Sequence, residues 1–399
     1  MRVLFTTQPG IGHLHPLLPL ARGMAQQGHT VAFACARSFV PEVGRAGCGA
    51  FPVGRDWLTI ELEQAFPEIR EVPPGPTRYT WVRANVFAGA TARHAVPDLL
   101  ALSRVWPPDL IVRDAAEYGG CLAAELLGIP HAVVRTDSGS SSYPGRYLVG
   151  KQLDVARTHF GLAPDPDVAM PFRFLHLSFA TGLDNPAELT APTHHRLRPV
   201  GAVLAPEEGE EGERTLAWLR RVPTRSTVYA TLGAVYNNMV EVFTAILRSL
   251  REEPLNLILT VGRNQDPAQF GCQPVHVHIE RFVPQALLLP RCDLVVTHGG
   301  FGTVTAALAH GLPLVLIPIS ADQPENARRC AALGVGHIVD PDKRTPPTIR
   351  AAVREVLDNP RYRSNAQRLR QQAQTLPGLE HGIRLLERLA SENAPQPAG

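Results

Sequence analysis

The segment DLVVTHGGFGTVTAALAHG, residues 293–311, decides the fold. Its apolar, β-branched start reads as a buried strand, its glycines as a turn, and the stretch from near Thr303 as a helix. Glycine lets a backbone approach a ligand closely, and a helix N-terminus presents amides and the positive end of its dipole. Strand, turn and helix together therefore suit a diphosphate. His298, at the turn, is placed to donate a hydrogen bond to a phosphate oxygen. The next strand, LPLVLIP, runs into LIPISADQPENARR, residues 316–329, with Asp322 and Gln323 at its carboxyl end. A carboxylate beside an amide accepts from and donates to vicinal sugar hydroxyls, although Asp322 read alone is more often a helix N-cap.

Outward from this segment, short β-rich runs alternate with amphipathic ones, the pattern of βα units feeding parallel sheets. STVYATLG, NLILTVG, VHVHIERF and GHIVD join the two strands above in the second half. The first half gives strands near Val3–Thr7, Thr30–Ala34, Leu110–Arg113 and His131–Thr136, with a helix over Pro16–Gln27 that Gly28 ends. PEEGEEGER, residues 206–214, has five glutamates, two glycines and no apolar residue, and reads as a solvated linker. The expectation is an α/β protein of two Rossmann-like domains, 1–205 and 215–377, facing each other across a cleft at their strand ends. A helical pattern over Gly378–Ala390 is expected to pack back on the N-terminal domain, with 391–399 frayed.

With 399 residues, 44% of them hydrophobic, the chain has material for two cores. Lys plus Arg total 39 against 37 Asp plus Glu, so no basic excess is available for a phosphate backbone and nucleic acid is not an expected partner. Cys35, Cys48, Cys121, Cys272, Cys292 and Cys330 lack CxxC spacing and read as reduced core thiols of a cytoplasmic protein. No apolar run reaches the roughly 20 residues of a membrane span. DPD at 165–167 and at 340–342 looks like a metal-binding DxD, but the central proline favours turns.

After the first strand comes GIGHLHP, residues 10–16. As a dinucleotide fingerprint it fails, because His15 stands where GxGxxG needs its third glycine. PDLIVRD ends a later strand on Asp114, which by itself is as much a helix cap as a catalytic group. Trp57, Phe66, Tyr79, Trp81, Phe87, Tyr143 and Tyr147 lie in long irregular segments and either line an apolar pocket or pack in the core. DSGSSSYPGRY, residues 137–147, reads as a loop over the site.

HxGxxT (His298, Gly300, Thr303), PxxxDQ (Pro318, Asp322, Gln323) and FVPQ (Phe282, Val283, Pro284, Gln285) together resemble the donor half of family 1 glycosyltransferases of GT-B fold, in particular bacterial enzymes that decorate natural products. The resemblance implies an inverting transfer of a sugar from a dTDP- or UDP-linked donor to a hydroxyl of a small hydrophobic aglycone, by a monomer or homodimer. It implies that His298 and the amides near Gly302 and Thr303 hold the diphosphate, and that Asp322 and Gln323 hold the sugar. Phe282 takes the base-stacking place where many relatives have tryptophan. Thr231 and Gly233 match the family's TLG turn, followed here by Ala234 in place of a frequent hydroxyl residue. The family's GHxxP implies His13 as the base, and its partner carboxylate at the end of a later strand implies Asp114 as the group that orients it. Trp57, Tyr79, Trp81, Phe87 and Tyr143 are the aromatics taken as candidates for the acceptor side. A nucleotide-sugar epimerase of the same architecture and a non-catalytic nucleotide-sugar-binding partner are the alternatives.

No cofactor or metal is expected, because a helix N-terminus and a histidine face the diphosphate and no carboxylate cage accompanies them. Turnover should therefore persist in excess EDTA. Complete loss restored by added Mg²⁺, followed by product formation, would overturn this expectation.

Overall fold

Apolar runs rich in β-branched residues become parallel strands buried on both faces. The computed structural model describes residues 1–136, 147–179, 182–183, 192–200, 210–234, 238–263 and 265–397, with the backbone alone at 210–212 and 214. Met1–Ala180, Asp184–Val200 and Leu376–Gly399 form one unit, and Thr181–Leu183 with Gly201–Thr375 the other.

The first unit contains β1 (Arg2–Thr6), β2 (Thr30–Cys35), β3 (Gly49–Pro52), β4 (Leu110–Asp114), β5 (His131–Val134), β6 (Leu175–Phe179) and β7 (His194–Leu197). They form one parallel sheet in the order β3-β2-β1-β4-β5-β6-β7. Val3, Leu4 and Phe5 of β1 and all five residues of β4 are buried. The chain winds outward from β1 through β3, then returns to pair β4 on the other edge of β1, with Val3 beside Leu110 and Phe5 beside Val112. Such a reversal leaves a crevice at the carboxyl ends of the two strands, where ligands of open α/β sheets bind. The loop carrying His13 follows β1, and Asp114 ends β4.

The second unit repeats this plan. Its strands β8 (Thr227–Thr231), β9 (Asn256–Thr260), β10 (Val277–Glu280), β11 (Leu294–Thr297), β12 (Leu314–Leu316) and β13 (Gly336–Ile338) are parallel in the order β10-β9-β8-β11-β12-β13. The reversal lies between β8 and β11, so Leu232–Gly233 and His298–Gly300 leave adjacent strand ends.

Four expectations are corrected. The helix read over Pro16–Gln27 starts two residues later, at Leu18, and ends at Gln26. A separate short turn, Ile11–Leu14, precedes it, and Pro16 has no amide to join the two, whereas Pro19 in the first turn needs none. Gly28 does lie just past its end, at φ 86°. Residues 206–214 are not linker throughout: a helix runs over Glu210–Leu219. Its later residues Trp218 and Leu219 join the second unit's core, which draws the segment out of solvent and into the fold. Two cysteines are not core thiols, Cys48 being half-buried and Cys272 exposed, while all six are free.

The fourth concerns only the residues after 390. A helix over Leu379–Glu392 belongs to the first unit, packing on the helix Leu18–Gln26 and on β4, β6 and β7. His29 Nε2 lies 2.8 Å from Glu387 Oε1. Residues 391–397 are not frayed: Gln396 is buried, donates its amide to Phe174 O at 2.7 Å, and accepts from His195 Nε2 at 3.0 Å. Asp340–Asp342 and Asp165–Asp167 are turns, in which Asp340 Oδ1 accepts from Asp342 N and Asp165 O accepts from Val168 N. No helix among the described residues is long and apolar enough to cross a membrane.

The seam between this last helix and its neighbours is tight. A Cβ on Gly382 would stand 2.7 Å from Leu197 Cδ1 and 3.3 Å from Leu20 Cδ2. Gly382→Val should destabilise the protein by about 1–3 kcal/mol through overpacking, which outweighs the few tenths of a kcal/mol, roughly, that valine gains over glycine in helix propensity. The thermal midpoint should fall, and an unchanged or raised midpoint would show that the seam is loose.

Candidate active site

In the first unit, β1 delivers the chain to a tight turn. A Cβ on Gly10 would lie 2.3 Å from Thr59 Oγ1, so glycine here leaves room for the Thr59 side chain. Gly10 O then accepts from His13 N at 3.0 Å. His13 Nδ1 lies 3.2 Å from Asp114 Oδ1, and Asp114 is fully buried. The same Oδ1 accepts from Ala116 N at 2.6 Å, and Oδ2 accepts from Gln8 N at 2.7 Å. Asp114 is not a helix cap, since the helix that follows, Gly119–Leu127, has Tyr118 at its N-cap; it holds its own turn through Ala116 N and lies against His13. A carboxylate oxygen in that place makes Nδ1 the protonated nitrogen of the neutral ring and Nε2 its acceptor nitrogen. Arg113, also buried, secures the turn by donating to Asp114 O (3.2 Å), Glu117 O (2.9 Å) and Pro171 O (2.6 Å). Glu117 accepts from Thr6 Oγ1 at 2.5 Å. Burial, chiefly, raises its pKa, and the Asp114 charge adds to this. His15 is pushed down to about 4 by burial and then by the Arg22 cation, so at neutral pH it is uncharged.

The aromatic residues divide. Trp57, Phe66 and Phe87 share one buried apolar cluster, with Trp57 edge-on to Phe66 at 5.3 Å. Phe87 stands edge-on to the His13 imidazole, centroids 6.0 Å apart at 79°. It is carried by a π-helical stretch, Val82–Thr91, and π turns are rare and concentrate at functional sites. Tyr79 and Trp81 are half-buried and Tyr147 is exposed. Tyr143 and the loop 137–146 lie outside the described residues.

In the second unit, His298 leaves β11 and is buried, with Nδ1 3.2 Å from Thr297 Oγ1. Two glycines make room for its ring: a Cβ on Gly233 would lie 2.7 Å from Cε1, and one on Gly300 2.6 Å from Nε2. Gly233 also has φ 72°, and its amide donates to Thr231 Oγ1 at 3.2 Å. The helix Phe301–Ala309 starts here, its first internal bond running from Val304 N to Gly300 O, so the amides of Phe301, Gly302 and Thr303 belong to the open N-terminal turn. Asp322 Oδ2 accepts from Asn326 Nδ2 at 2.8 Å, and the same nitrogen lies 2.8 Å from Gly299 O. Gln323 is buried and its Oε1 accepts from Ile319 N and Ser320 N, so its amide braces the loop. Ala321, just before Asp322, has φ 56°, a strained value for alanine. Phe282 has the Arg263 guanidinium 4.4 Å from its ring centroid. Val283 is a core residue, and Gln285 Nε2 is 3.5 Å from Tyr229 OH.

Sequence reasoning missed Asn326 and Gln8. Asn326 is four residues after Asp322, on the same helix face, and that spacing was the available signal. Gln8 carried none.

Two Rossmann-like units with sites at their strand reversals are the architecture of GT-B glycosyltransferases. The structure of SnogD from Streptomyces nogalater covers 98% of this chain at TM-score 0.79 and 24% identity, 99% of that chain being matched. VinC, solved in complex with DTDP, matches at TM-score 0.78 and 25% identity over 98% of this chain and all of its own. Residues 23–157 match the N-terminal domain, and 245–387 the C-terminal domain, of the erythromycin biosynthesis protein CIII-like family. The 4'-demethylrebeccamycin synthase of Lentzea aerocolonigenes is 31% identical over 97% of this chain and 99% of its own length. The 10-deoxymethynolide desosaminyltransferase of Streptomyces venezuelae is 28% identical over 100% and 99%. The chain belongs to the bacterial natural-product glycosyltransferases of family 1 and is an enzyme that transfers sugars; the epimerase and non-catalytic alternatives are not favoured.

Burial holds the His298 pKa near 4, below its ordinary 6.5. A folded pKa below the unfolded one contributes stability that is full above 6.5 and is lost as pH falls toward 4, amounting to about 2 kcal/mol at about pH 5. Urea unfolding of His298→Gln, compared with the parent, should accordingly show a weaker loss of stability between neutral pH and about pH 5. Equal losses in both proteins would refute a neutral, desolvated His298.

Proposed function

We propose that the enzyme transfers a sugar, with inversion, from a dTDP- or UDP-linked donor to a hydroxyl of a small hydrophobic aglycone, His13 serving as base and Asp114 orienting it. The observation that carries this reading is the His13 Nδ1 to Asp114 Oδ1 contact of 3.2 Å at the β1/β4 reversal. The thymidine nucleotide in the VinC structure and the sugar-transferring relatives support a nucleoside diphosphate donor.

In this reading Nε2 of His13 takes the acceptor's hydroxyl proton as that oxygen bonds to the anomeric carbon. Asp114, on the Nδ1 side, fixes the tautomer and stabilises the imidazolium that forms. The bond from the anomeric carbon to the donor's diphosphate oxygen breaks, and the nucleoside diphosphate leaves with the electron pair. The second unit meets the developing charge with the amides of the helix Phe301–Ala309 and with a neutral His298 as donor, so no metal is needed. Asp322 and Gln323 hold the sugar, Gln323 through its Nε2, since its Oε1 accepts from Ile319 N and Ser320 N. Displacement in one step inverts the anomeric centre.

An aliphatic alcohol is a poor nucleophile until deprotonated, whereas an acidic phenol is partly ionised already, and general-base assistance contributes about 10² to 10⁴ in rate. His13→Ala should abolish transfer to alcohols yet leave measurable transfer to acidic phenols that rises with pH. Asp114→Asn should do the same more mildly, and His15→Ala less than either. Turnover of both acceptor classes would be measured between about pH 6 and 9, where a histidine base titrates. Equal slowing of both by His13→Ala would make His13 a positioning residue and sink the mechanism.

A further inference from the structure

Gln8 takes no part in the chemistry above, yet it is 3% exposed, and burying a primary amide is unfavourable unless its hydrogen bonds are made. Its bonds all run to elements that surround His13. The backbone amide donates to Asp114 Oδ2 at 2.7 Å. The side-chain Nε2 donates to Ala116 O at 3.0 Å and to Thr91 Oγ1 at 3.2 Å. Ala116 O only accepts, which fixes the amide with nitrogen on that side. Thr91 Oγ1 donates onward to Phe87 O at 3.0 Å, so its hydroxyl accepts from Gln8. A directed chain thus runs from Gln8 through Thr91 to the backbone of Phe87, whose ring meets the His13 imidazole edge-on.

We propose that Gln8 is a positioning residue for the base: its amide ties the Asp114 loop to the end of the π-helical stretch, so the two groups that orient the His13 ring are held in one frame. The inference rests on His13 being the base. Asp114 fixes one nitrogen of the ring, and Phe87 limits its tilt. Ala116 supplies a second hydrogen bond to Asp114, and the carbonyl of that same residue receives Gln8, so the side chain acts on the loop next to the carboxylate. Thr91 closes the last turn of the π stretch through its bond to Phe87 O, and such turns concentrate at functional sites. Gln8 and Thr91 also border a small cavity with Thr6, Trp57 and Glu117, leaving the frame with space to relax into once the tie is cut.

The test keeps volume and removes polarity. Gln8→Met fills the same space without donors, and Thr91→Val removes the hydroxyl at constant shape, so the second carries the experiment should the first not fold. In each variant, turnover of an alcohol acceptor should fall about tenfold, since small misplacements of a catalytic group are costly. Acidic-phenol turnover should stay within about twofold, and calorimetric affinity for the nucleotide sugar within the same range. The parent and His13→Ala are run alongside. If His13→Ala separates alcohols from phenols and neither tie variant does, whether by slowing both acceptors equally or by slowing neither, the positioning role is overturned while the base stands. If His13→Ala fails to separate them, the base assignment itself falls and the inference with it.

Discussion

One buried carboxylate organises the first unit's site. Asp114 accepts from Gln8 N, Ala116 N and His13 Nδ1, and those three donors come from the loop after β1 and from the turn after β4. A fully buried acceptor left short of partners costs far more than one such bond gains, so the two loops are locked into a single arrangement. Everything else at this end of the sheet follows from keeping that carboxylate satisfied. Arg113 anchors the turn behind it, Gly10 lets the His13 loop fold close against Thr59, and the strand order brings β1 beside β4 to begin with.

The second unit solves a different problem with the same sheet plan. Where the first presents one imidazole to a carboxylate, the second buries an imidazole beside Thr297 Oγ1, and that burial keeps it neutral. It surrounds that ring with glycines and a helix start, so donors rather than acceptors collect at the strand ends. A doubly wound sheet offers the same place twice, and the residues following each strand determine which groups collect there.

The sheet strands that carry the sites were readable because they are continuous apolar runs, and their ends fell within a residue or two of the observed ones. Three strands were not readable. Gly49–Pro52 is short and half-buried, Leu175–Phe179 has histidine and serine within it, and His194–Leu197 looks like surface. Burial lowers the His176 pKa well below its ordinary value, and its ring stacks on His194 at 4.2 Å, so residues that sequence patterns score as polar behave as core. His13 and Asp114 were paired through the GHxxP resemblance, since Asp114 by itself read equally as a helix cap, and the two side chains do meet. Gln8 and Gln323 show the limit: one looks like loop and turns out to be a tie, and the other looks like a ligand-facing amide and spends its oxygen on its own backbone. Which partner a buried amide finds depends on residues far away in the chain.

The helix Leu379–Glu392 carries a consequence for how the molecule is made. It supplies Ile383, Leu386 and Leu389 to the core of a unit whose first strand begins at Arg2. During synthesis the amino-terminal sheet emerges first but must wait, one face short of its cover, while the whole of the second unit is produced. The later-made unit is thus the first that is able to finish. An apolar face exposed for that interval is where a nascent chain is most prone to associate wrongly.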